Sequence, residues 1–447
     1  LNRKLMACPF ISSLDATTYF TFLRSIRKQI DLFRESNIPV IAELNVLQQQ
    51  FGVISGKMSV TVKGQEYTLQ QAALFLEDVE KRNRIASQAN FTDYRAYRFM
   101  ELGRFDYDHT TCEQFHDAVR DHVMPLVNQL YEQKRKKLDV DKLRPWDLEA
   151  EPLGTKPLRP FTNAAELTTK TISCLSALNP FFADCLTRMQ ELGHLDLESR
   201  KGKAPGGYNC PLAVSGAPFI FMNAAGTLDD VTTMVHEGGH AIHSFLCHTL
   251  PLNGFKEYPT EIAEVASMTM ELFSMDHWDV FFSDPAELSR AKEQQLERVI
   301  TIFPWIATID KFQHWIYTHP THTHFEREEQ WMKIVQEFTS PLVDFTGLEK
   351  YRGVLWQRQL HLFEVPFYYI EYGIAQLGAI GLWQQYKKDP AAALQNYLQA
   401  LSLGGTRTLP QLFEAAALSF DFSGPKISQL MQFVKSELDQ ITLTTSS

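Results

Sequence analysis

The sequence predicts a mainly α-helical fold with a small β element, and three observations carry that prediction. Apolar residues recur at helical spacing along most of the chain, two short stretches alternate or run apolar as strands do, and a cluster of prolines separates two helical regions. At 447 residues there is enough chain for two or three lobes with a substantial core, and 44% hydrophobic with 21% charged residues is ordinary for a globular enzyme. The net charge of −10 argues against nucleic acid or an anionic membrane as the main partner. Cys8, Cys112, Cys174, Cys185, Cys210 and Cys247 show no C-x-x-C spacing, which favours a reducing compartment. With no signal peptide and no apolar stretch of membrane length, the cytoplasm is the expected location.

The elements follow in chain order. Met58 to Val62 and Gln65 to Leu69 flank Lys63-Gly64 and read as a hairpin. Phe115, Val119, Val123, Leu126 and Leu130 pattern a helix, and the run Lys134 to Lys137 places positive charge at its C-terminus. Pro145, Pro152, Pro157 and Pro160 mark an irregular connection, so a helical N-terminal lobe is expected over 1–145 and a second region over 146–447. Gly206-Gly207 before Tyr208 form either a hinge-capable loop that folds over a ligand or a plain surface turn. Phe219 to Asn223, with Phe221 and Met222 at its centre, is a short β-prone run. As an edge strand it would hydrogen-bond an extended peptide; as an ordinary buried strand it would simply feed the next helix.

That next helix carries the strongest chemical signal. Thr227 and Asp230 form a start signal, and Val231, Met234, Val235, Ile242, Phe245 and Leu246 make an apolar back. His236, Glu237 and His240 form an H-E-x-x-H pentad on the other side. Imidazoles four residues apart on a helix share one face and reach one zinc ion, and the glutamate between them sits beside it. In a chain with 14 histidines such a pentad arises by accident roughly a few hundredths of the time. Gly238 and Gly239 each cost about 1 kcal/mol in a helix interior, so crowding at a site is expected there. A zinc hydrolase needs a third protein ligand and leaves the fourth position to water, which is the chemistry of peptide-bond hydrolysis.

The third ligand is sought on the helix after Pro259, capped by Thr260, with Glu261 as an N-terminal charge. Glu264 stands 24 residues past His240, room for a helix end, a loop and an antiparallel return. Glu271 is two turns on, about 10.5 Å along the axis, so both carboxylates cannot ligate one ion. Glu264 is assigned to the metal, and Glu271 is left as an outer carboxylate behind the ligands, a substrate-side group or a solvated surface residue. His319, His322 and His324 around Pro320 read as an interhelical loop, and Tyr368 and Tyr372 as one face of a helix begun by Pro366, more often core than catalysis on pattern alone.

With these residues in view, the chain resembles the zinc oligopeptidases of the oligoendopeptidase F and thimet oligopeptidase family, the oligoendopeptidase F branch in particular. His236 to His243 is similar to the family's zinc helix, Ala263 to Ser267 to its third-ligand helix, Lys201 to Tyr208 to its glycine-rich substrate loop and Pro218 to Asn223 to the strand before the zinc helix. Trp356 to Gln376 is similar to the segment that polarises the scissile carbonyl, with His361, Tyr368 and Tyr372 at matching positions and Ala375 where the thimet branch carries another tyrosine. The resemblance runs from about residue 37 to the C-terminus.

It implies a multi-helix, two-lobed zinc peptidase with a deep channel and a small β element beside the zinc helix, acting on short unfolded peptides. One zinc ion would sit on His236, His240 and Glu264, with Glu237 as general base and His361, Tyr368 and Tyr372 holding the oxyanion. Gly206, Gly207, Tyr208, Phe221, Met222, Asn223 and Glu271 would face substrate. Members usually carry a further N-terminal stretch of somewhat over a hundred residues, so a fragment or short form is expected. A zinc exopeptidase and a non-catalytic peptide-binding scaffold are the alternatives.

Overall fold

The computed structural model describes residues 1–56, 74–201, 203, 206–212 and 214–445; among them helices dominate, with one three-stranded sheet. The hairpin expected at 58–69 lies outside the described residues. The elements that position functional groups are α1 (His109–Ala118), β1 (Leu195–Glu198), β2 (Tyr208–Cys210), β3 (Phe219–Ala224), α2 (Leu228–Cys247), α3 (Thr260–Ser274), α4 (Pro285–Thr318) and α5 (Tyr369–Tyr386). No helix among the described residues is long and apolar enough to cross a membrane.

The chain packs into two units. The first holds Leu1–Ala16, Leu23–Ala150 and Pro304–Ile370; the second holds Thr17–Phe22, Glu151–Phe303 and Glu371–Ser447. One change of unit falls at 150/151, and residues 304–370 group with the N-terminal part.

In the first unit, α1 runs through one π-helical turn at Val119–Val123 into Met124–Leu138, burying Phe115, Val119, Val123 and Leu130; Leu126, expected on the same stripe, is only half-buried, and Val127 is buried beside it. The 319–323 turn joins α4 to His324–Glu337, and its histidines are tied locally: His319 stacks on Trp315 and His322 Nε2 accepts from Arg327 Nε at 2.7 Å.

In the second unit the sheet order is β1-β3-β2, with β1 parallel and β2 antiparallel to β3. β3, read from its composition as a possible edge strand, is therefore the central strand, and β2 lies at the edge nearest the glycine loop. The short partner strands Leu195–Glu198 and Tyr208–Cys210 supply both neighbours, and neither carries an apolar run of its own.

α2 starts where its capping signal says. Asp230 N–H donates to Thr227 Oγ1 at 3.3 Å, and Thr227 N–H to Asp230 Oδ2 at 2.8 Å. Its back is in the core, with Val231, Met234, Val235 and Ile242 fully buried. Burying each stabilises the helix by roughly 1.5–3 kcal/mol, which outweighs about 1 kcal/mol for each glycine. α3 lacks the expected threonine cap: Pro259 holds the N-cap position and Thr260 begins the helix. Glu261 is in the first turn but buried.

Candidate active site

Gly239 explains how two helices bring three candidate ligands together. A Cβ there would fall 2.6 Å from both the Ala266 carbonyl oxygen and the Ser267 Cα, so only glycine lets α2 approach the α3 backbone this closely. Gly238 is different: a Cβ on it would meet only Leu175 Cδ1, at an ordinary 3.8 Å. Crowding thus accounts for one of the two glycines.

The approach sets Glu264 Oε2 3.4 Å from His236 Nε2 and 3.6 Å from His240 Nε2. These spacings exceed a good N–H···O hydrogen bond of about 2.7–3.2 Å, and match the roughly 3.3 Å between ligands held tetrahedrally about 2.0–2.1 Å from one ion. The three donor atoms all lie within 4.8 Å of one another. The residues present therefore fit a zinc ion in ligand type, number and spacing. The two imidazole side chains keep 20% and 18% of their surface exposed, which leaves a side open to water.

Each ligand is held from behind. Ser267 Oγ donates to Glu264 Oε2 at 3.1 Å, and His240 hydrogen-bonds the Ala263 backbone. His236 Nδ1 is 2.7 Å from Glu271 Oε1. Gln295 Nε2 on α4 donates to Glu271 Oε2 at 2.8 Å, and Thr232 Oγ1 donates to Gln295 Oε1 at 3.2 Å, which returns the chain of bonds to α2 one turn before His236. The Glu271 carboxylate thus lies behind His236; sequence spacing had left that place open. Gln295 and Thr232 were not foreseen, because a polar residue within a helix pattern carries no signal of a partner 63 residues away.

The electrostatics follow from this packing. Burial alone would lower the His236 pKa, but the Glu264 and Glu271 carboxylates outweigh it and raise it well above the ordinary value. Burial dominates at His240 and lowers its pKa to about 4. Without metal, then, a proton on His236 supplies the positive charge these carboxylates demand. Burial pushes Glu237 up to about 7, with His236 opposing and Glu264 and Glu271 reinforcing. Its Oε2 is buried with no hydrogen-bond partner among the described residues.

The glycine loop closes over this carboxylate. A Cβ on Gly207 would meet Thr233 Cγ2 at 3.2 Å, the Phe221 carbonyl at 3.4 Å and Glu237 Oε1 at 3.5 Å. Gly206 adopts φ +96°, in the left-handed region that favours glycine, and its carbonyl accepts from Asn223 Nδ2 at 3.0 Å. Tyr208 stacks on Phe221 with ring centroids 4.9 Å apart, and half of its surface is exposed. Met222 is buried in the core, so its side chain faces away from solvent.

The other face of Phe221 carries Lys203, whose ammonium lies 4.4 Å from the ring centroid. Lys203 donates to the Asp196, Glu198 and Met222 carbonyls and to Asp196 Oδ1, pinning the loop to β1 and β3. In sequence it was indistinguishable from a solvated lysine beside a turn.

The histidine–tyrosine segment is divided between the units. His361 and Tyr368 belong to the first, with ring centroids 5.7 Å apart and His361 Nδ1 2.6 Å from Gln359 Nε2; Tyr372 belongs to the second. α5 begins at Tyr369, not at Pro366, because Phe367 takes a left-handed turn at φ +64°. Tyr368 therefore precedes the helix that carries Tyr372, whereas the four-residue spacing had put both on it.

An oligoendopeptidase F homolog of Borreliella burgdorferi is 24% identical over 77% of this chain and 57% of its own length, and the oligopeptidase PepF of Bacillus subtilis is 23% identical over 78% and 53%. The chain thus spans about half the length of these relatives. The structure of PZ peptidase A with an inhibitor superposes with a TM-score of 0.91 at 25% identity, covering 98% of this chain and 83% of that one. The model of peptidase family M3 matches residues 56–431, and the chain belongs to that family.

Proposed function

We propose that the protein is a zinc-dependent oligopeptidase, cytoplasmic, which cleaves internal bonds of short unfolded peptides. The observation that carries this reading is the convergence of His236, His240 and Glu264 beside a buried, unpaired Glu237 carboxylate. A bound zinc ion supplies Lewis acidity toward the scissile carbonyl and acidifies a water molecule. Glu237, buried beside the two imidazoles, would take a proton from the attacking water and pass it to the leaving amine, and a carboxyl pushed up to about 7 by burial suits a group that must both accept and donate. Glu271 orients His236 through Nδ1. His361, Tyr368 and Tyr372 donate to the oxyanion, each worth about 2.7–4 kcal/mol in comparable sites.

The peptide backbone would pair with β2, the sheet edge beside the glycine loop, in place of the already paired β3. Main-chain pairing is tolerant of sequence, and the names of the relatives point to oligopeptides. The test is turnover of a quenched fluorescent peptide of about ten residues beside a folded protein, before and after chelation. Cleavage of the peptide alone, lost with the metal, restored by zinc and unaffected by N-acetylation, is expected. Preference for the folded protein, or dependence on a free amino terminus, overturns the assignment.

A further inference from the structure

The first unit contains a second convergence of ligating side chains, which the peptidase chemistry does not use. α1 presents Cys112 and His116 four residues apart, and α4 presents Asp310 and His314 four residues apart. His116 Nε2 lies 2.9 Å and His314 Nε2 3.2 Å from the same oxygen, Asp310 Oδ2. The two imidazole centroids are 5.8 Å apart, and the donor atoms of Cys112, Asp310 and His314 all fall within 4.8 Å of one another. All four residues are buried, at 1%, 2%, 0% and 6% exposure for Cys112, His116, Asp310 and His314. Aromatic rings wall the cluster: Phe115 beside His116, and Phe99 and Phe367 beside His314.

A hydrogen-bonded cluster of this composition would be poorly satisfied. Both imidazoles converge on one carboxylate oxygen, while Asp310 Oδ1 and His314 Nδ1 are buried with no partner among the described residues. Each such orphan is costly to bury, and well-packed apolar residues would serve a plain core at least as well. Paired i,i+4 ligands from two facing helices are how helical bundles hold metals, and the arrangement repeats the geometry of α2 with a sulfur donor added. Thiolate, imidazole and carboxylate together suit zinc and not magnesium or calcium, and a buried donor set with no exposed position defines a structural site; the fourth donor would come from His116, which stands outside the set of three and is bonded to Asp310.

We propose that Cys112, His116, Asp310 and His314 form a closed site for one structural zinc ion, separate from the His236–His240–Glu264 centre. Burial and the Asp310 charge keep the metal-free Cys112 thiol protonated, so loading releases that proton to solvent as the sulfur–metal bond forms. The ion clamps α1 to α4 behind the strained turn at Phe367, whose N–H donates to Gln313 Oε1 at 2.6 Å and whose ring lies 5.2 Å from that of His314. It thereby stiffens the turn that sets Tyr368.

The test exploits sulfur, which the His236–His240–Glu264 centre lacks. The full chain is loaded with excess zinc, desalted, and examined by metal analysis and zinc X-ray absorption. Two zinc ions per chain and a sulfur neighbour at about 2.3 Å are expected. In a His236→Ala/His240→Ala protein one zinc should remain, with the sulfur signal per metal about doubled, and in Cys112→Ser the sulfur signal should vanish with one equivalent. A wild-type spectrum showing nitrogen and oxygen neighbours alone overturns the proposal at any stoichiometry and requires no variant to fold; so does a sulfur signal that survives in Cys112→Ser.

Discussion

The α2–α3 cluster and the α1–α4 cluster are built on one plan and differ in access. Both rest on an i,i+4 pair that includes histidine and on a carboxylate shared between two imidazoles. In the first, the histidine side chains keep about a fifth of their surface exposed and an unpaired glutamate waits alongside; in the second, all four side chains are buried, with aromatic rings beside both histidines. Ligand type alone does not separate a reactive centre from a structural clamp. An open side and a base beside it do.

Experiments that break or sharpen this contrast fall in order of size. Replacing Glu264 by Ala removes the carboxylate that both imidazoles face, and should abolish turnover together with zinc binding at that centre; activity retained in metal-analysed protein would refute the ligand assignment. Glu237→Gln should lower kcat about 10²–10⁴-fold with zinc content unchanged, as steady-state kinetics beside metal analysis will show. Glu271→Gln weakens the partner of His236 Nδ1, and competition with a chelator should report zinc affinity down about 10–100-fold, with no change at the α1–α4 cluster.

Gly239→Ala forces α2 away from the Ala266 carbonyl, and denaturant unfolding should show roughly 1–3 kcal/mol lost, whereas Gly238→Ala, with an ordinary contact, should be neutral or stabilising. A pH dependence stands apart from this order. His243, stacked on Tyr258, is held neutral by burial with its pKa lowered to about 3, so the unfolded chain binds the proton that the folded chain refuses. Its contribution is complete above about pH 6.5 and shrinks as pH falls toward 3, by up to about 1.4 kcal/mol per pH unit. His243→Phe keeps a ring for the stack, and the stability difference between wild type and this variant should move in that direction; a pH-independent difference would mean that His243 titrates normally.

Legibility followed locality. α2 was readable to its first residue because Thr227 and Asp230 cap it within one turn, and Glu264 was readable because helix periodicity excludes Glu271 from the same ion. What lay beyond was set by distant partners. The central place of β3 depends on Leu195–Glu198 and Tyr208–Cys210, too short and too polar to announce strands. Pro366 reads as a helix start, but Gln313 and Arg104 hold Phe367 in a left-handed turn, and both come from elsewhere in the chain. Lys203 looks solvated until its carbonyl partners on β1 and β3 are known.

β2 is three residues long, and under the proposed function its outer rim would offer an incoming peptide about 10 Å of backbone to grip. So short a handhold favours no single alignment: a peptide shifted by one or two positions docks almost as well. Digests followed by mass spectrometry should yield ragged families of fragments from neighbouring bonds, where a long rim would have produced one sharp cut.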